Sequence, residues 1–120
     1  MYVKEAVEFA DMLTPNTIPF EAKLLWLRNF EDMIWNTLIL THEGAPAERK
    51  PIKDEYSSLF IESPYNEVYA LYLRMRMDEV NNDSVRYGNS KMLYNKALSE
   101  YRAYYNRTHM PIERATVKFF

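Results

Sequence analysis

The stretch Tyr94–Pro111, YNKALSEYRAYYNRTHMP, sets four tyrosines among three basic residues, with no glycine and no cysteine. Rings interleaved with Lys and Arg can stack nucleic-acid bases beside a phosphate-binding strip. The same rings can also be the packing face of a helix. Their spacing bears on the choice. Tyr87, Tyr94 and Tyr101 recur every seven residues, and Leu98/Tyr105 and Ala97/Tyr104 repeat that step. The result is one seam along a helix, flanked by Ser90 and Lys91, with Lys96, Glu100 and Arg107 on the other side. Rings and cations therefore mostly occupy different faces, whereas a stacking groove wants them on one. Core packing is the favoured reading. Tyr65, Tyr69 and Tyr72 make a similar strip on an earlier segment. Eight tyrosines on two adjacent helices exceed what a small core needs, so some are expected to face another subunit. Tyr65, Tyr69, Tyr87, Tyr94, Tyr101 and Tyr105 are the interface candidates. The rival, a nucleic-acid surface, would use Arg86, Lys91, Lys96, Arg102 and Arg107.

Other chemistry finds little footing. His42 and His109 are the only histidines and lie far apart in the chain. His42 precedes Glu43 without the HExxH spacing of a zinc-protease helix, and His109 is explained by the dipole at a helix C-terminus. There is no phosphate-binding glycine loop, no GxSxG elbow and no dinucleotide fingerprint. Glu31–Asp32 and Asp78–Glu79 are adjacent pairs, so their carboxylates diverge along a helix instead of forming an acid/base couple. Without cysteine there is no thiol nucleophile and no disulfide framework. The expectation is a protein that is not an enzyme and takes no cofactor, metal or small-molecule substrate. In Leu73–Glu79, LRMRMDE, arginines alternate with methionines, which fits a helix boundary between core and solvent.

These residues need elements to carry them. A chain of 120 residues, 48% hydrophobic and 27% charged, is the size and balance of one globular domain. Only two glycines disfavour hairpin-rich β folds. Val3–Leu13 reads as a short helix, and two prolines in TPNTIPF break it. Pro19 then opens a second helix, Phe20–Leu40, with Leu24, Leu27, Ile34 and Leu38 as its stripe and Phe30, Met33 and Trp35 widening it. Residues 42–63 read as a long surface loop with room for a short strand at Ser58–Ile61. Ser63–Pro64 is the start signal for a third helix, whose inner positions are Val68, Leu71, Tyr72, Met75 and Val80. The fourth helix runs from Ser84 to about His109, where Pro111 stops it. Residues 111–120 follow as an extended tail with Phe119 and Phe120 as a candidate interaction arm. The fold expected is all-α: a single-domain bundle of one short and three longer helices. No secretion signal and no membrane span is expected.

Net charge is −2 but unevenly spread: residues 1–83 are acidic in excess, whereas Ser84–Met110 holds five Lys/Arg against Glu100 alone. Opposite poles suit head-to-tail contacts between copies, or an acidic partner for the basic end.

Three segments in order carry a resemblance: LTPNTIPFEAKLLWLRNFEDMIWNTLI, ESPYNEVYALYLRMRMDEVNND and RYGNSKMLYNKALSEYRAYYNRTHMP. Together they resemble a family of small helical head–tail connector (adaptor) proteins of tailed phages and prophages of Gram-positive bacteria. The resemblance covers nearly the whole chain except the 43–58 loop and the last eight or so residues. Gly88 and RMRMDEV depart from the family's usual pattern. The resemblance implies a virion structural protein: a ring oligomer bound to the portal protein and neighbouring head or tail proteins. Genomic DNA would pass through its channel without specific binding. It also implies assembly in the bacterial cytoplasm and residence at the head–tail junction. The alternatives are a nucleic-acid-binding packaging or regulatory helper, and an assembly chaperone or scaffold missing from the mature particle.

Overall fold

Val3, Ala6, Val7 and Ala10 share one helical face, and helix α1 (Val3–Leu13) buries all four. The computed structural model describes residues 1–112 of the chain. The arm residues Phe119 and Phe120 lie outside the described residues. The first N–H groups of α1 have no partner inside the helix. Instead Val3 and Lys4 donate to the carbonyls of Ser57 and Glu55, at 2.9 and 2.8 Å. Thr14 adopts an extended backbone ahead of Pro15 and ends the helix.

Asp11 ties α1 to the next element: its carboxylate accepts from buried Lys23 at 2.7 Å and from Asn16 at 2.9 Å. Helix α2 (Phe20–Ile34) has Pro19 as its cap, with an extended backbone, rather than as its first helical residue. It runs into a π-helical turn, Trp35–Ile39, after which the Leu40 N–H reaches the Trp35 carbonyl at 3.0 Å. The wider turn brings both Leu38 and Ile39 inward.

Helix α3 (Glu67–Val80) is the centre of the molecule, with α1, α2 and α4 (Ser84–Thr108) all packed on it. It therefore has no single stripe. Tyr69, Ala70, Leu73 and Met77 are buried alongside Val68, Tyr72 and Met75. Two of the inner positions read from the sequence are corrected: Leu71 is half-buried, and Val80, in the last turn, is 53% exposed. The start is corrected too. The Tyr65 N–H closes a turn onto the Glu62 carbonyl at 2.9 Å, so Ser63 and Pro64 sit in that turn and the helix begins at Glu67. Asn82, at φ 55°, takes the left-handed conformation that Asn tolerates. Asp83 then caps α4 by accepting from the Arg86 N–H at 3.0 Å.

Residues 42–63 do more than cross the surface. Ile52, Leu59 and Ile61 enter the core. Arg28 of α2 donates to the Ile52 carbonyl at 3.0 Å, and Arg49 of the loop pairs with Asp32 of α2, so two arginines hold the segment to that helix. The expected strand at Ser58–Ile61 is reduced to a single antiparallel bridge between Ser58 and Tyr2. Among the described residues no helix is long and apolar enough to cross a membrane.

The two glycines make opposite predictions. Gly44 has φ +86°, and a Cβ there would meet His109 Cδ2 at 3.3 Å. Gly88 lies in α4 with open space around it. Urea unfolding should show Gly44→Ala destabilised by about 1–2 kcal/mol and Gly88→Ala stabilised by about 0.5–1 kcal/mol.

Candidate functional site: an aromatic groove above a buried acid

The tyrosine seam of α4 faces inward. Tyr94, Tyr101 and Tyr105 are buried, Tyr87 is half-buried, and Tyr69 of α3 is wholly buried. Phe30 of α2 is their hub, with ring centroids 5.5 Å from Tyr69, 5.0 Å from Tyr72 and 6.0 Å from Tyr94. Burial leaves Tyr69 and Tyr94 no surface for another subunit, against their place among the interface candidates, and leaves Tyr101 and Tyr105 only their share of a groove wall. A phenol fits a core when its hydroxyl is either bonded or left at the edge. Burial lifts their ionisation, Tyr94 to about 12 and Tyr69, Tyr101 and Tyr105 upward as well, so all four stay neutral.

Tyr69 is the bonded case. Its hydroxyl donates to Glu31 Oε2 at 2.6 Å and accepts from the Ile61 N–H at 2.7 Å. Glu31 Oε1 in turn accepts from the Phe60 N–H at 3.2 Å. One carboxylate and one phenol thus join α2, α3 and the loop. Burial raises the Glu31 carboxyl above its ordinary 4.5, against the opposing pull of Tyr69 and the Phe60 N–H.

Above this network the loop leaves two adjoining clefts of about 460 and 320 Å³, which share Pro46, Phe60 and Glu62. Glu31, Trp35 and Arg49 line the larger. The smaller is walled by Tyr65, Tyr101, Tyr104, Tyr105 and His109. Tyr65 lies 4.7 Å from Tyr104 and 5.8 Å from Tyr101, centroid to centroid, and His109 stacks on Tyr105 at 3.8 Å. Of the six interface candidates, Tyr65 alone is both half-buried and on this groove.

His42 and His109, far apart in sequence, share a neighbour. The His42 ring meets Tyr105 edge-on at 5.3 Å, with Nδ1 2.7 Å from the Leu38 carbonyl and Nε2 2.5 Å from the Asn106 amide oxygen. The π-helical turn that delivers Leu38 and His42 to this end has no signature in hydrophobic spacing, so sequence reasoning misses the junction. It also misses the Trp35–Phe60 pair, edge-on at 5.4 Å, because nothing local marks Phe60 as drawn inward.

The five basic residues of α4 do not make one strip. Lys91 and Arg102 fall on one line of the helix and Lys96 and Arg107 on another, each pair eleven residues apart. Arg102 leans on the π-helical turn that follows α2, 3.4 Å from Thr37 Oγ1. Arg86 lies 3.8 Å from the buried carboxylate of Asp78, which Ser90 also hydrogen-bonds. Comparison with protein-family models, with curated proteins and with solved structures finds no match for this chain.

The Glu31–Tyr69 network predicts two measurable effects. Tyr69→Phe strands the Ile61 N–H and removes a donor from Glu31, so it should cost about 1–3 kcal/mol in chemical unfolding. The folded chain also holds the Glu31 proton more tightly than the unfolded chain does. The stability this adds is present below pH 4.5 and is lost as pH rises through the raised value. Wild-type stability, measured relative to non-titrating Glu31→Gln, should therefore fall as the pH is raised above 4.5. A flat difference would place Glu31 in water.

Proposed function

We propose that this chain is a virion structural protein, a head–tail connector subunit that assembles as a ring at a phage portal. The observation that carries the reading is the placement of charge. Helices α1 and α4 both pack on α3; α1 exposes Glu5 and Glu8 beside Lys4, with Asp11 paired to Lys23, while α4 exposes Lys91, Lys96 and Arg107 beside Glu100, with Arg86 turned to Asp78. A ring needs two unlike patches on one subunit, each meeting the other on the next copy. An acidic flank and a basic flank supply such a pair. The body measures 52 × 31 × 23 Å, an elongated shape that leaves both flanks accessible. The order and spacing of the three connector-like segments point the same way. They also bring with them the portal as partner, DNA as passing cargo, and a bacterial cytoplasm as the place of assembly. The cations of α4 lie on separate lines, so the arrangement lends the nucleic-acid reading no support of its own.

Mass spectrometry of purified particles from the source strain should find this chain at a copy number close to that of the portal subunit. Particles that contain portal and capsid but lack it would end the connector reading. A chain stopped after Ile112 should keep its helical circular dichroism while losing ring or portal binding.

A further inference from the structure

The aromatic groove has a shape and chemistry that the packing of the chain does not explain. Its walls are ordered by the core, with Tyr101 and Tyr105 buried on α4 and Phe60 packed on Trp35. Tyr104 remains 37% exposed at its lip, and Glu62, exposed, stands between the two clefts and lines both. Cavities of about 320 and 460 Å³ are of the size that takes whole aromatic side chains. Rings around an acid suit an occupant that presents a cation next to an aromatic group.

The chain contains such a segment. Residues 113–120 read ERATVKFF, with Lys118 followed by Phe119 and Phe120. Lys118 and Phe120 supply the two chemistries the groove would take, a cation for Glu62 and a ring for Tyr65 and Tyr104.

The direction of the chain decides whose groove is filled. The Glu43 N–H donates to the Met110 carbonyl at 2.7 Å, and the Ile112 N–H donates to the Thr41 carbonyl at 2.9 Å. This antiparallel pairing, centred on His42 and Pro111, carries the backbone from beside Glu43 towards Thr41. Gly44 and Pro46, which line the groove, lie on the other side of Glu43. At Ile112 the chain is therefore heading away from its own groove. We propose that the groove between the 44–65 loop and the end of α4 receives residues 113–120 of a neighbouring copy, with Phe120 among the tyrosines and Lys118 on Glu62. This rests on the self-assembly in the connector reading, and it names the receiving surface.

The test uses the full chain and a fluorescein-labelled peptide of residues 111–120, read by anisotropy. Saturable binding is expected. It should weaken about tenfold or more, as loss of an anchor does, in a Tyr104→Ala/Glu62→Lys chain whose circular dichroism is unchanged, and likewise with a Phe120→Ser peptide. Absence of binding, or binding indifferent to those substitutions, overturns the inference. The peptide assay reads the groove alone, whereas particle composition reads the connector assignment, so either can fail while the other stands.

Discussion

A carboxylate can be taken out of water only if its oxygens keep donors and its proton affinity is allowed to rise. Glu31 meets both conditions, and much of this structure depends on how it does so. Its two oxygens take one donor from α3, the Tyr69 hydroxyl, and one from the loop, the Phe60 N–H. Tyr69 also accepts from Ile61, so the loop is held at two successive backbone groups. That attachment fixes Leu59 and Ile61 in the core and Phe60 against Trp35. It thereby sets the floor shared by the two clefts. Earlier in the loop, the orphan N–H groups of α1 find their acceptors at Ser57 and Glu55. A segment rich in proline and charge, without periodicity, is thus ordered by hydrogen bonds to groups that the helices could not satisfy themselves.

This also explains how much of the fold is legible in the sequence. Helices α1, α2 and α4 are legible because each has a face that differs from its back. Val3, Ala6, Val7 and Ala10 are the clearest case, and Tyr94, Tyr101 and Tyr105 the next. Helix α3 is legible as an element but not by its inner positions. With neighbours on several sides it buries Tyr69, Leu73 and Met77 together with the residues at stripe positions, and periodicity carries no information about a helix surrounded in this way. The loop escapes sequence reading for a related reason. Ile52, Leu59 and Ile61 are apolar residues amid polar ones, and only long-range pairing with Tyr2, Arg28 and Glu31 draws them in.

The tyrosines show why residue type alone leaves a site undecided. A tyrosine-rich pair of helices predicts rings kept for a partner, yet Phe30 gathers Tyr69, Tyr72 and Tyr94 into one cluster. What remains outside is set by position along α4 and by where α3 begins. Because the turn closed by Glu62 and Tyr65 delays α3 to Glu67, Tyr65 stands off the helix and can stack near Tyr104. The candidate site is therefore a product of a turn whose Ser-Pro pair reads, by sequence, as a helix start. The aromatic character of the groove is visible in the sequence; its concavity is not.

The same junction constrains how copies of the chain can meet. The π-helical turn ends α2 so that His42, with Nδ1 on the Leu38 carbonyl, reaches Tyr105 and Asn106 of α4, and its neighbours Glu43 and Thr41 pair with Met110 and Ile112. The exit of the chain at Ile112 is thus locked to the ends of two helices, and its heading is a property of the core. In the docking proposed above, the residues beyond Ile112 of one copy would meet the groove of the next. Repetition of such a contact is heterologous by construction: each copy gives a segment and offers a groove. Whether the proposed repetition would close into a ring depends on the rotation between copies.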